Sequence, residues 1–193
     1  MILLEYFNNC NKGPWTTVGD DTQYKVQDGI LYFQPSKSKA DWKNNLIFPA
    51  VPYSDMDHKF LVHAGFKNVW KKIRHTIEKL EFSRIVGYSH GAALALFAHE
   101  DFLFRNEFQP VTYVFGCPRV FFLPDAKTKA RFSSVINIQS KGDLVTMVPP
   151  GYSHVGTIIK LDGKVKQNGE SLAGFLTRHT PNVYRQRLVD AKI

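Results

Sequence analysis

One stretch constrains this chain more than any other: Arg84-Ile85-Val86-Gly87-Tyr88-Ser89-His90-Gly91, followed by a run rich in alanine and leucine. An apolar segment suited to a buried strand gives way, within a few residues, to one suited to a helix. A strand that turns so sharply into a helix drives the residue at its apex into an unfavourable backbone conformation. Glycines two positions to either side remove the Cβ atoms that would otherwise collide. The bare G-x-S-x-G spacing would turn up by chance in roughly one chain of this length in twenty, so its weight comes from the strand and helix around it.

The flanking sequence predicts a fold that can carry such a turn. Residues 22–26 and 30–33 are β-prone and enclose Asp28-Gly29, which predicts an early hairpin. After Gly65, the residues Phe66, Val69, Trp70, Ile73, Ile77 and Leu80 recur at helical intervals, while Lys67, Lys71, Lys72, Arg74 and Lys79 fill other positions. That pattern predicts an amphipathic helix whose apolar stripe is a core face. Residues 84–88, 111–115 and 135–139 read as buried strands and 92–99 as a helix-prone run. Beyond them come a strand over 154–161, a hairpin turn at Asp162-Gly163 and a closing helix over 182–191. Helices interleaved with apolar strands predict an α/β sandwich on a mainly parallel sheet with antiparallel additions at its edges. No repeat, low-complexity tract or linker divides the sequence, so 1–193 reads as a single domain.

Composition removes several alternatives. The 193 residues are 44% hydrophobic and 13% aromatic, enough to bury a sizeable core without disulfides or a structural metal. No apolar run approaches the ~20 residues that cross a bilayer; the best, 92–98, stops at His99, Glu100 and Asp101. The opening Met1-Ile2-Leu3-Leu4-Glu5-Tyr6 lacks the basic region and cleavage site of a secretory signal, which predicts a cytoplasmic location. Lys plus Arg number 25 against 17 Asp plus Glu, a formal charge of +8, but the lysines are scattered and no strong nucleic-acid motif is present. The charge is read first as a solubility feature, and no nucleic-acid partner is expected. Cys10 and Cys117 are far apart and no His or Cys pair has ligand-site spacing, so neither a metal nor an organic cofactor is expected.

The turn presents Ser89 at a helix N-terminus, where backbone N–H groups and the helix dipole favour a developing negative charge. A serine hydroxyl is a poor nucleophile near neutral pH. A histidine has to take its proton, and an acid has to hold that imidazole in the right tautomer. In α/β hydrolases the order along the chain is serine, acid, histidine. Downstream of Ser89 the leading acids are Asp125, Asp143, Asp162 and Glu170, and the candidate histidines are His154 and His179. Asp143 is the best placed of the acids, just past an apolar strand at the end of the sheet where loop residues collect into sites. Asp162 belongs to the expected turn, and Asp125 follows a proline in what reads as a surface loop. The histidines are nearly tied. His154 begins a strand, while His179 stands before Pro181 in a loop able to fold back over Ser89, which tips the reading toward His179.

Taken together, these segments resemble the class 3 lipase family, the fungal-type lipases with their feruloyl esterase and phospholipase relatives, over about 32–184. The resemblance is carried by Val62-His63-Ala64-Gly65-Phe66, the turn at Ser89, and Thr112-Tyr113-Val114-Phe115-Gly116-Cys117-Pro118-Arg119-Val120. Gly142-Asp143-Leu144-Val145 with Pro149-Pro150, Tyr152-Ser153-His154-Val155-Gly156, and His179 with Tyr184 complete it in family order. It implies an α/β-hydrolase fold, a compact three-layer sandwich, and a serine hydrolase acting on lipid or other acyl esters. It implies Asp143 as acid, His179 as base and a structural or supporting part for His154. It also implies an oxyanion hole from the N–H of His90 and from Ser36, reading Phe33-Gln34-Pro35-Ser36 against the family's Phe-Arg-Gly-Ser/Thr. This sequence departs from the family in Gln34 and Pro35, and in carrying Tyr88 and His90 where the family often has His and Leu.

In the same alignment 37–48 resembles the lid of fungal lipases. Trp42, Leu46, Ile47 and Phe48 offer an apolar side, while Lys37, Lys39, Lys43, Asn44 and Asn45 interrupt it. Such a segment suits either transient contact with an anionic membrane surface or a fixed flap over a soluble ester. Two other functions stay open at this level: an acyltransferase or thioesterase using the same three residues, and a non-catalytic relative that binds lipid or a protein partner.

Overall fold

A computed structural model describes residues 2–19, 22–35, 49–53, 59–162 and 178–193. The predicted hairpin forms from strands β2 (Thr22–Gln27) and β3 (Ile30–Phe33), paired antiparallel. Asp28 and Gly29 between them both take positive φ, 52° and 69°, the conformation that a two-residue turn needs to follow the right-handed twist of its strands. The short strand β1 (Thr16–Val18) extends this antiparallel edge.

On its other side β3 runs parallel to β6 (Arg84–Tyr88), followed by β7 (Val111–Phe115), β9 (Val135–Ser140) and β11 (Thr157–Leu161), all parallel. The order is β1-β2-β3-β6-β7-β9-β11, a mainly parallel seven-stranded sheet among the described residues. Strand side chains alternate between its faces. Leu31, Phe33, Ile85, Val114 and Val135 join one apolar cluster, while Ile30, Tyr32, Val86, Tyr88, Phe115 and Ile138 join another. Helices cover both faces, giving three layers. On the first face lie α2 (Ala64–Ile77) and α3 (His90–Asn106); on the second lie α1 (Ile2–Asn9) and α5 (Pro181–Asp190). The short helix α4 (Ala126–Arg131) is capped by Asp125, whose side chain accepts from Thr128 N at 2.7 Å.

The structure departs from the sequence reading in several places. The helix after Ser89 does not stop at His99 but runs to Asn106. His99, Glu100 and Asp101 are buried with partners: Thr112 and the carbonyl of Arg131 flank His99 at 2.9 Å each, Arg131 pairs with Glu100, and Arg74 and Arg105 pair with Asp101. The expected strand over 154–161 is broken. Gly156 has φ +77, and a Cβ there would lie 2.4 Å from Val135 O, so β11 starts only at Thr157. His154 therefore lies in a loop rather than at the head of a strand. Before it, β10 (Tyr152–Ser153) belongs to a second, four-stranded sheet, ordered β10-β8-β5-β4, with β4 (Ala50–Tyr53), β5 (Phe60–His63) and β8 (Phe121–Phe122). That sheet and helix α1 were not expected from the sequence. Gly163 of the expected hairpin turn lies outside the described residues.

Candidate active site

The turn between β6 and α3 has the strain its sequence implies. Ser89 sits at φ 60°, ψ −125°, and its N–H donates to Phe115 O at 2.9 Å, which ties the turn to β7. The glycines on either side are there because nothing larger fits. A Cβ on Gly87 would lie 2.3 Å from Gly91 O, and one on Gly91 would lie 2.6 Å from Phe33 O. Without those side chains the helix closes directly onto the end of the sheet, with Ser89 at its N-cap and the N–H of His90 opening its first turn. The stretch Ala92–Ala98 behind it is wholly buried and belongs to the core.

Asp143 follows β9 through a turn in which its N–H donates to Ser140 O at 3.0 Å. It caps a 3₁₀ turn, Leu144–Met147, by accepting from Val145 N on Oδ1 at 2.9 Å. Its carboxylate is buried. The other oxygen, Oδ2, accepts from Tyr184 OH at 2.6 Å and faces His179 Nδ1 at 2.7 Å. On the far side of the imidazole, His179 Nε2 lies 2.7 Å from Ser89 Oγ. With Asp143 as acceptor, Nδ1 carries the proton and Nε2 is left to accept from the serine. One oriented relay thus runs from hydroxyl through imidazole to carboxylate.

The chain brings these three together from distant segments by a set of fixed contacts. His179 lies just before α5, which Pro181 starts. Arg187 on that helix is buried and donates to Ser140 Oγ at 2.5 Å and to Lys141 O at 2.9 Å, so α5 is tied to the end of β9 that carries Asp143. Gly116, at φ +54°, lets the imidazole pass: a Cβ there would lie 2.9 Å from His179 Cε1. Burial, and then the Asp143 charge, push the Tyr184 phenol well above its ordinary range, so it stays a hydrogen-bond donor.

His154 stands apart from the relay. Its Nδ1 faces Asn137 Nδ2 at 3.2 Å and its Nε2 lies 2.7 Å from Thr146 O, while Thr146 Oγ1 donates to Asp143 O at 2.8 Å. It fixes the loop that holds the acid. Burial drives its pKa down, which favours the neutral ring. Asp125 caps a helix and Asp162 is exposed beside Lys141 at 3.4 Å, so neither reaches Ser89. Glu170, Ser36 and the lid-like segment 37–48 lie outside the described residues. Sequence reasoning missed the parts played by Gly116 and Arg187, and it met Tyr184 only through a resemblance. Gly116, in a Gly-Cys-Pro sequence at a strand end, was the one that carried a readable signal.

Comparisons with known proteins agree with this architecture. The sequence profile of the family described as lipase (class 3) matches residues 30–153. The structure is similar to that of the triacylglyceride lipase of Rhizomucor miehei, with a TM-score of 0.62 and 20% identity over 77% of this chain and 65% of that one. It is similar to lipase II of Rhizopus niveus, with a TM-score of 0.63 and 21% identity over 77% and 65%. It also resembles the Lip2 lipase of Yarrowia lipolytica, with a TM-score of 0.60 and 17% identity over 74% and 62%. The chain spans less than two thirds of the length of each of these fungal lipases.

Proposed function

The chain belongs to the class 3 lipase family and has the α/β-hydrolase fold; from that premise we propose that it hydrolyses carboxylic esters through an acyl-enzyme formed on Ser89. The observation that carries this reading is the relay itself, Ser89 Oγ to His179 Nε2 and His179 Nδ1 to Asp143 Oδ2, each at 2.7 Å.

In this reading Ser89 Oγ attacks the acyl carbon while its proton passes to His179 Nε2. Asp143 holds the imidazole in place and stabilises its charged form. The N–H of His90, at the start of α3, donates to the oxyanion of the tetrahedral intermediate, and Ser36 supplies the second donor that the family resemblance gives it. His179 then returns the proton to the departing alcohol. Water repeats the sequence in reverse roles and frees Ser89. Each step uses only groups of the chain, the ester and water.

The substrate class we propose is a lipid ester, in keeping with the family, with transient docking on anionic membrane surfaces favoured by the +8 charge. Hydrolysis of p-nitrophenyl esters of increasing acyl length, with and without anionic vesicles, tests the substrate. Preference for long chains with activation by vesicles supports the lipid reading. Preference for short chains with no activation assigns the protein to soluble esters. Absence of hydrolysis of every ester overturns the reading.

A further inference from the structure

Besides its two in-line partners, the imidazole of His179 meets a third group. Tyr88, the last residue of β6, is buried and lays its ring along the imidazole, with centroids 5.2 Å apart and planes 27° apart. Its hydroxyl donates to the backbone oxygen of His179 at 2.5 Å. Phe7 and Tyr184 pack edge-on against the same ring, at 5.1 and 5.5 Å, and so hold it in that pose.

We propose that Tyr88 is a positioning residue for His179, whose hydroxyl fixes the backbone at 179 and whose ring face stabilises the imidazolium formed when His179 takes the Ser89 proton. The inference rests on the ester-hydrolase reading above. Both ring nitrogens of His179 are engaged by Ser89 and Asp143, and Tyr88 meets the imidazole on its flat face. An aromatic face is electron-rich and attracts a cation within about 6 Å of its centroid, more strongly where water is excluded. The neutral imidazole gains less from that field than the imidazolium does. Tyr88 therefore favours the charged state that exists only during proton transfer, which is the kind of difference that speeds a reaction.

Among the described residues, the other groups that face or flank His179 include Asp143 from the loop after β9, Ser89 from the turn, Tyr184 edge-on from α5 at 6.3 Å, and the neighbouring Arg178. Tyr88 does not add a titration of its own in the working range, because burial and then the Asp143 charge push its phenol upward.

The test separates shape from charge distribution. Tyr88→Phe keeps the ring and removes the hydroxyl; replacing Tyr88 by pentafluorophenylalanine keeps the ring's outline and reverses its quadrupole. The midpoint of His179 is read in all three proteins by NMR titration of its ring protons, and again from the acid limb of kcat/KM on a p-nitrophenyl ester. Wild type and Tyr88→Phe are expected to share a midpoint, with kcat lower on the order of threefold in Tyr88→Phe for the lost hydrogen bond. The fluorinated protein is expected to titrate lower by about half a pH unit or more. Equal NMR midpoints in all three would overturn the proposal, since a purely structural ring leaves them unmoved. Because that readout needs no turnover, it is independent of whether the wild type hydrolyses the ester, the result on which the reading beneath it stands or falls.

Discussion

Tyr184 donates its hydroxyl hydrogen to Asp143 Oδ2 at 2.6 Å, the same oxygen that faces His179 Nδ1 at 2.7 Å. With Val145 N on Oδ1, the carboxylate is held at both oxygens before His179 is counted, so its orientation does not depend on the group it serves. Tyr184→Phe removes one of those bonds while keeping the packed ring. It is expected to lower kcat on the order of tenfold with KM and fold unchanged, as a hydrogen bond to a charged group is worth about 1.5–3 kcal/mol. Steady-state kinetics with a circular dichroism melt checks this, and an unchanged kcat would contradict it.

Gly116 is argued from space. A methyl group there would stand 2.9 Å from His179 Cε1 and 3.0 Å from Tyr184 OH, at a φ of +54° that suits glycine. Gly116→Ala is expected to displace the imidazole and cost about 10²-fold in kcat, the scale of a 1 Å misplacement. A crystal structure of the variant with His179 unmoved would contradict the explanation even if activity fell.

The two histidines that the sequence left close together are separated by their contacts. His179→Ala removes the proton carrier and is expected to lower turnover on the order of 10⁴-fold or more. His154→Ala leaves Thr146 O and Asn137 without their partner, and is expected to cost about 1–3 kcal/mol of stability with a much smaller loss of rate. Equal losses of kcat in both folded variants would contradict the assignment.

Much of this was legible in the sequence. The glycine pair around Ser89, the Asp28-Gly29 turn and the short apolar runs at 84–88 and 111–115 are all local signals, and the structure answers each of them. What was not legible depends on long-range contact. His99, Glu100 and Asp101 looked like the end of a helix because charge near an apolar run ordinarily meets water. Their partners Thr112, Arg131, Arg74 and Arg105 come from separate segments or from the helix's own last turn, and no local pattern announces them. The break before β11 had the same origin: Gly156 in sequence is an ordinary glycine, and only the carbonyl of Val135 makes it necessary. Tyr88 stood out in the sequence only as a departure from the family, and its stacking on His179 depends on a residue 91 positions away.

The buried His99 gives a prediction about acid stability. Burial is the main cause that lowers its pKa from 6.5 to about 4, so the native state binds its proton later than the unfolded chain does. Between those values the unfolded state holds more protons, and stability therefore falls as pH is lowered through that window. The contribution is present in full above about pH 6.5 and is lost progressively toward pH 4, on the order of 3 kcal/mol in total. Urea unfolding of wild type and His99→Gln from pH 7 to 4 checks it. The two curves are expected to converge as pH falls; parallel curves would contradict it.

The central claim, that Ser89 is a nucleophile activated by His179, is tested most directly by a fluorophosphonate probe with the adduct located by mass spectrometry. The account predicts a single phosphonyl adduct on Ser89 in the wild type, greatly slowed labelling in folded His179→Ala and none in Ser89→Ala. A folded wild-type protein that takes no label, or an adduct that persists in Ser89→Ala, would contradict it.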